Sequence, residues 1–370
     1  MILKNCTFYN EFFEKEFGDI KIEKGKIAEI GIFAEDGTDM SGKIIFPGFV
    51  DIHIHGAAGG DTGDNSAEAL DKMSAYLAEN GVTSFCPTTM SRPVEELIES
   101  AKIIADYKPC GAKIAGINFE GPFISKEKCG SQNPEYITAG SCGDFDALYG
   151  AAGGLMKLIT IAPETFDSGE FINKASKQIT VAIGHTNATA KECKAAFKKG
   201  VSHVTHLYNA MSQMTSREAG AVGAALDSDV TCELICDGYH ISSEVLRNTF
   251  KILGGDRAVV VSDSMRAAGL GTGEFELGGQ TVYVKENDAV ARLENGTIAA
   301  SVTNLFAEFK NLLSFGIDFK TALKSCTINP AKVIKEDENI GSIAVGKCAD
   351  FTVVDEELNI KEVYINGTRA

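Results

Sequence analysis

Two hydrophobic patterns alternate along most of this chain. Short apolar runs that end in polar residues are separated by segments with helical spacing of apolar residues, such as SAEALDKMSAYLAEN and ATAKECKAAFKKG. The apolar runs are FVDIHIH, VTSFCPT, KIAGINFE, LMKLITIA, ITVAIGH, VSHVTHL, TCELIC and AVVVSD. Alternating strands and helices predict a parallel sheet of the α/β class. Polar residues recur at the carboxyl ends of the strands, which favours a closed (β/α)8 TIM barrel over a doubly wound open sheet.

The two ends of the chain have a different pattern, with short β-like runs and glycine turns. KNCTFYN and GDIKIEKGKIAEIG lie near the start, and GSIAVGKCADFTVVDEELNIKEVYINGTRA at the end contains a GK turn and an NG turn. We expect residues 1–47 and 336–370 to form one small β-sandwich domain, with the barrel at 48–335. A glycine-rich β segment at 267–300 and a long insertion at 125–143 interrupt the barrel pattern.

Composition narrows the class of protein. The 370 residues are 44% hydrophobic and carry a formal charge of −16, so a large core is expected and a nucleic-acid partner is not. No apolar run approaches the roughly 18 residues of a membrane span, and the first residues lack an export pattern. Ten cysteines without a repeated CxxC spacing favour reduced thiols over disulfides. We expect a cytoplasmic protein without membrane contact.

At least five of the six histidines of the chain lie at or near the carboxyl ends of predicted strands. His53 and His55 alternate within the first strand, so both side chains point to the same face, into the barrel mouth. His185 ends the fifth strand and His206 follows the sixth, at the same mouth. His203 falls on the opposite face of its strand, where we interpret it as a packed core residue. Paired imidazoles suit a divalent transition metal, so this rim predicts a metal site.

Two carboxylates end strands at the same rim. Glu120 lies between apolar residues in INFEGPF, where burial is costly unless the carboxylate is paired or binds a metal. A surface ion pair or a helix cap is the alternative. Asp263 ends the last strand in VVVSDSM, where it can bind a metal weakly and accept a proton from water. An N-terminal helix cap remains the alternative for Asp263.

These pieces together resemble the amidohydrolase superfamily, and in particular its family of N-acetylglucosamine-6-phosphate deacetylases. The likeness covers nearly the whole chain, and INFEGPF and THLYNAM are its most specific parts. The other matching segments are PGFVDIHIHGAAGGD, GVTSFCPTTM, GHTNAT, SREAGAVGAAL, DGYH, VVSDSM and GSIAVGKCADFTVVD.

The resemblance implies a hydrolytic enzyme and a role for each matching residue. It implies that metal-activated water, with Asp263 as general base, removes the acetyl group of N-acetylglucosamine 6-phosphate. One or two divalent ions, zinc or iron, would be held by Glu120, His185 and His206, with His53 and His55 for a second ion. The amino-sugar phosphate would be bound by Asn209, Ala210, Arg217 and His240. In this family the arginine can reach a neighbouring subunit, which implies a homodimer.

One departure from the family pattern concerns the loop after EGPF. The family usually carries a histidine there that helps to polarise the acetyl carbonyl, whereas this chain has Gln132 in CGSQNPEYI. An amide can donate a hydrogen bond but cannot carry positive charge. Two alternatives stay open from the sequence: the same chemistry on N-acetylgalactosamine 6-phosphate, and a non-catalytic protein that binds a sugar phosphate.

Overall fold

In the computed structural model, which describes residues 1–286 and 288–370, parallel strands pair in sequence order and form a barrel. Backbone hydrogen bonds from Asp263 N to His53 O (3.0 Å) and from His55 N to Ser264 O (2.9 Å) join the last strand to the first. The strands are Phe49–Ile54, Val82–Thr89, Ile117–Glu120, Met156–Ile161, Thr180–Ile183, His203–Val204, Thr231–Leu234 and Ala258–Val260. The predicted (β/α)8 barrel is therefore confirmed.

The barrel strands alternate with helices. Local signals start several of them: the Ser66 side chain accepts from Ala69 N, and Thr189 and Glu192 form a reciprocal capping box. The α-helices are Ala67–Glu79, Val94–Asp106, Cys142–Ala151, Ser168–Ala175, Ala190–Lys199, Gly220–Leu226, Ser243–Arg257, Leu305–Ser314, Phe319–Cys326 and Ile328–Val333, and the 3-10 helices are Thr62–Asp64 and Lys126–Lys128. Among the described residues, no helix combines the length and apolar character needed to cross a membrane.

The terminal segments meet in one sheet of eight strands, as the β-rich ends predicted. Ile44–Pro47 pairs antiparallel with Phe351–Val354, which joins the two ends of the chain. The sheet has its own buried cluster, which includes Leu3, Phe8 and Ile20. Its remaining strands are Ile2–Tyr9, Lys15–Glu23, Lys26–Gly31, Thr38–Asp39, Ile360–Ile365 and Thr368–Arg369. The domain boundaries at 47/48 and 335/336 stay a prediction.

The β segment expected at 267–300 is an antiparallel sheet after the last barrel strand, which we call the flap. Its strands are Gly273–Leu277, Gln280–Val284, Val290–Arg292 and Ile298–Ser301. Ser131 Oγ donates to Ala299 O at 3.0 Å, and Gln280 Nε2 donates to Ser131 O at 2.5 Å. The flap is thereby tied to the insertion after the third strand. Two further short pieces are the strand Lys113–Ile114 and the hairpin of Gly56–Ala57 with Gly60–Asp61.

A cluster of phenylalanines joins the terminal sheet to the barrel. Phe309, fully buried on the helix Leu305–Ser314, packs edge-on against Phe49 of the first barrel strand at 5.4 Å between ring centroids. It also contacts Phe46 of the terminal sheet at 6.0 Å and Phe319 at 5.6 Å. Edge-to-face aromatic pairs add to the free energy gained by burial alone. Phe309 therefore stabilises the position of the first barrel strand.

Replacing Phe309 tests the importance of this cluster. Phe309→Ala should lower the free energy of unfolding by about 3–5 kcal/mol, because it removes a fully buried ring from several partners. Phe12→Ala is the matched control, since Phe12 is 65% exposed and should change stability by less than about 0.5 kcal/mol. The urea midpoint of each variant, followed by circular dichroism, measures the effect. Equal midpoints would contradict the assignment.

Candidate active site and metal centre

A cavity of about 350 Å³ opens at the carboxyl ends of the barrel strands. The residues selected from the sequence line it, except His53, which is fully buried, and Arg217. Those that do line it are His55, Glu120, Gln132, His185, His206, Asn209, Ala210, His240 and Asp263. Leu277, Ile298 and Ala299 of the flap line it too. The chemistry predicted at the strand ends is therefore gathered around one space.

Glu120 lies at the centre of the site. Its Oε1 is 2.8 Å from His206 Nε2 and 2.9 Å from His185 Nε2, and these two nitrogens are 3.0 Å apart. Burial by itself would raise the pKa of Glu120, but the neighbouring His185 and His53 outweigh it and hold that pKa well below its usual range. The group is therefore a carboxylate that faces a pair of imidazole nitrogens.

The His53 and His55 pair approaches the same carboxylate from the other side. His53 Nε2 is 3.4 Å from Glu120 Oε1, and His55 Nε2 is 3.4 Å from Glu120 Oε2. The side chains form two groups that share Glu120. One group is His53, His55 and Glu120, the other is Glu120, His185 and His206, and within each the ligand atoms lie within 4.8 Å of one another.

The donor set fits a divalent transition metal. Imidazole nitrogens with a carboxylate are ordinary ligands of zinc and iron. His53 Nε2 is buried and makes no hydrogen bond among the described residues, although it points between Glu120 Oε1 and Asp263 Oδ1, each 3.4 Å away. An unpaired buried nitrogen is costly, and a cation at this point would satisfy it.

Three of the residues assigned as metal ligands or as the base have left-handed backbone conformations. The φ angles are 47° at His185, 28° at His206 and 46° at Asp263, values that residues with a Cβ rarely adopt. Each of the three follows the end of a barrel strand and lines the cavity. Strain of this kind persists only where the surroundings enforce it, and it concentrates at functional sites. The turns direct three polar side chains into the cavity.

Asp263 faces the histidine pair rather than a helix. Its Oδ1 is 3.3 Å from His55 Nε2 and 3.4 Å from His53 Nε2. Burial alone would raise its pKa, but His53 and His55 outweigh that effect, so the pKa of Asp263 is lowered and the side chain is ionised. No α-helix begins at Asp263 in the described part of the chain, since the flap follows. The geometry therefore gives no support to the helix-cap alternative.

Gln132 is held on both sides of its amide. It is buried, its Oε1 accepts from Ser91 N at 2.7 Å, and its Nε2 donates to Glu120 Oε2 at 2.6 Å. The loop after the second strand thus orients Gln132, and Gln132 in turn orients Glu120. One of its two amide hydrogens is used in this way.

Sequence reasoning missed Glu233, a fully buried carboxylate in TCELIC. Its Oε2 is 2.9 Å from His53 Nδ1, and its Oε1 is 3.1 Å from His203 Nε2. His203 is fully buried, as expected, and its Nδ1 also contacts Thr231 Oγ1 at 2.6 Å. The sequence did contain a signal for Glu233, because burial of a lone carboxylate in an apolar strand costs free energy unless the carboxylate is paired.

The same cavity is lined by residues expected to bind the sugar phosphate. Asn209, Ala210 and His240 line it, and His240 Nδ1 lies 2.6 Å from the buried Asp237 Oδ2. Asp237 was also missed. It fixes the orientation of the His240 ring.

The cavity receives little positive charge from its own chain. Arg217 lies outside the cavity of its own chain, on the exposed loop 213–219. Lys128, which the sequence analysis did not select, is the only lysine or arginine among the described residues that line the cavity. A single chain therefore brings little basic charge to this space.

Comparison with known proteins agrees with this arrangement. A model of the amidohydrolase family matches residues 44–370. The N-acetylglucosamine-6-phosphate deacetylase of Bacillus subtilis (strain 168) is 33% identical over 100% of this chain and 97% of its own length. The N-acetylgalactosamine-6-phosphate deacetylase of Escherichia coli O157:H7 is 30% identical over 95% of this chain and 94% of its own length.

Solved structures give the same result. The N-acetylglucosamine-6-phosphate deacetylase of Pasteurella multocida has a TM-score of 0.92 at 31% identity and covers 100% of this chain and 99% of its own. The enzyme of the same name from Thermotoga maritima has a TM-score of 0.89 at 33% identity, with coverage of 100% and 99%. These matches confirm the resemblance seen in the motifs. The chain belongs to the amidohydrolase family of metal-dependent hydrolases.

Proposed function

We propose that this protein hydrolyses the acetamide of N-acetyl-D-glucosamine 6-phosphate and releases acetate and D-glucosamine 6-phosphate. The single observation that carries the proposal is the Asp263 carboxylate beside two ligand groups that share Glu120, in one cavity with His240. Relatives with this activity in their names match the chain from end to end. A small-molecule amino-sugar phosphate is thus the partner, and we place the enzyme in the cytoplasm.

The metal chemistry follows from the ligands. When bound, a divalent cation polarises the acetyl carbonyl and makes a water molecule acidic enough to lose its proton near neutral pH. Glu120, His185 and His206 would hold the principal ion, either zinc or iron. His53 and His55, together with Glu120, would hold a second ion, so that one or two ions would bind per subunit.

The side chains of this protein supply the proton transfers. Asp263 accepts the proton of the attacking water and then gives it to the departing amine nitrogen. Gln132 already donates one amide hydrogen to Glu120, and its second hydrogen would reach the carbonyl oxygen as negative charge develops there. A neutral amide stabilises that charge less than a protonated histidine would.

The phosphate end of the substrate lies with Asn209, Ala210 and His240. Because Arg217 lies outside its own cavity, we propose that it enters the cavity of a second copy in a homodimer. Its planar fork matches the oxygens of a phosphate. This arrangement would supply the basic charge that a single chain lacks.

The second candidate is the same hydrolysis on N-acetylgalactosamine 6-phosphate, which differs at one hydroxyl group. A relative of that name, 30% identical, favours it. A non-catalytic sugar-phosphate-binding protein is the remaining alternative, but such a protein would not need an ionised base beside the metal ligands.

Removing the metal should abolish hydrolysis. Dialysis against a chelator should reduce turnover to background, and added zinc or ferrous ion should restore it. His185→Ala should lower metal content, whereas Asn187→Ala, an exposed neighbour two residues away, should keep it. Elemental analysis and an acetate-release assay measure both effects. Full turnover by verified metal-free protein would exclude the metal mechanism.

Replacing the base should separate chemistry from metal binding. Asp263→Asn should lower kcat by roughly 10²–10⁴-fold, because general-base assistance is lost while the ligands of the principal ion remain. Metal content should stay near that of the unaltered protein. Steady-state kinetics alongside elemental analysis tests this, and a near-normal kcat would remove Asp263 from the mechanism.

Substrate preference tests the phosphate assignment. N-acetylglucosamine 6-phosphate should be preferred over both its galacto isomer and free N-acetylglucosamine. Loss of two charge-assisted hydrogen bonds, from Arg217 and His240, corresponds to about 10²–10⁴-fold in kcat/KM for the free sugar. Arg217→Ala should penalise only phosphorylated sugars.

Mixing two inactive variants tests the homodimer. Arg217→Ala combined with Asp263→Asn should regenerate activity, because a mixed dimer contains one site with both native residues. No recovery of activity in mixed dimers, once subunit exchange is proven, would place Arg217 outside the partner's site.

The substrate-preference test has its own contradicting outcome. Equal turnover of free and phosphorylated sugars by the unaltered protein would refute the phosphate assignment.

A further inference from the structure

Glu233 is a buried carboxylate that contacts both ligand groups of the metal centre. It lies on the seventh barrel strand, Thr231–Leu234, and is fully buried. No lysine or arginine forms an ion pair with it among the described residues. Its partners are instead two histidine rings and a backbone amide. A carboxylate in this position requires an explanation beyond packing.

The contacts of Glu233 divide between its two oxygens. Oε2 is 2.9 Å from His53 Nδ1 and accepts from the backbone N of His206 at 3.0 Å. His53 belongs to one ligand group and His206 to the other. Oε1 is held by His203 Nε2 at 3.1 Å, and His203 is in turn fixed by Thr231 Oγ1 at 2.6 Å.

These contacts determine how His53 faces the site. A carboxylate oxygen only accepts, so the hydrogen of the His53 ring resides on Nδ1, and Nε2 presents its lone pair. Nε2 then points between Glu120 and Asp263, 3.4 Å from each. A carboxylate behind a ligating histidine fixes the ring and makes the ligand more basic.

His55 and His185 have weaker acceptors behind their rings. His55 Nδ1 contacts the carbonyl oxygen of Thr88 at 3.2 Å, and His185 Nδ1 contacts the carbonyl oxygen of Lys128 at 2.8 Å. Of these three rings, only that of His53 is backed by a negative charge. The group that contains His53 should therefore depend most on its outer partner.

We propose that Glu233, anchored by His203, is a positioning residue of the metal centre. It orients His53 as a ligand through Nε2 and also holds the left-handed turn at His206, so that one buried side chain aligns both ligand groups. This inference rests on the proposed metal-dependent function. It adds a requirement that neither ligand group shows by itself: the ion held with His53 binds at full affinity only when the Glu233 carboxylate lies behind that ring.

Glu233→Gln tests the proposal, because it keeps the shape of the side chain and removes the charge. His53→Ala should lose one zinc ion, which identifies the ion that His53 helps to hold. In Glu233→Gln, competition with a chromophoric chelator should show that the affinity for this ion is lowered by about 10–100-fold. The cobalt-substituted protein should show an altered visible spectrum. Glu308→Gln is the matched control: Glu308 is equally buried and contacts Cys236 N and Thr303 Oγ1, so its replacement should leave affinity unchanged.

If Glu233→Gln fails to fold, the unaltered protein offers a second measurement. In the zinc-loaded protein labelled at histidine nitrogens, the His53 ring should carry its hydrogen on Nδ1. A His53 hydrogen on Nε2, or a folded Glu233→Gln protein with unchanged zinc affinity, would overturn the inference while leaving metal-dependent hydrolysis intact. Failure of the unaltered protein to bind any divalent ion would overturn the proposed function as well.

Discussion

The site depends on one buried negative charge. Glu120 Oε1 contacts His185 and His206, and Glu120 Oε2 accepts a hydrogen bond from Gln132. His53 lies near the first of these oxygens and His55 near the second. A carboxylate so deeply buried is tolerated because it is surrounded by groups that can donate to it or share a cation with it. The chain therefore brings strand ends from opposite parts of its length to the same point, and the closed barrel is the architecture that does so.

Barrel closure and backbone strain act together at this point. The hydrogen bond from Asp263 N to His53 O joins the last strand to the first at the level of the ligands. The left-handed turns at His185, His206 and Asp263 then bend the chain so that the side chains enter the cavity. Phe309 packs against the first barrel strand and the buried Glu233 contacts His53, so both support this arrangement. The rigid parts of the fold thus stabilise conformations that these residues would not adopt alone.

The sequence predicted the eight strands, the β-rich ends and the flap because periodicity and turn residues are local signals. It also predicted which polar residues share the barrel mouth, since strand ends of a parallel barrel meet there. Glu233 and Asp237 were missed because their importance comes from partners distant in sequence. The hydrogen bond from Gln132 to Glu120 depends on the path of a loop, and the proposed role of Arg217 depends on a second copy of the chain. None of these leaves a periodic signal.

The pairing of Ile44–Pro47 with Phe351–Val354 has a consequence for biosynthesis. During translation the early strand leaves the ribosome long before its partner is made, and the whole barrel is synthesised in between. Throughout that interval one edge of the first sheet has no neighbour, and such an edge is prone to pair with another chain. The terminal sheet therefore cannot be completed until the strand Phe351–Val354 has been made.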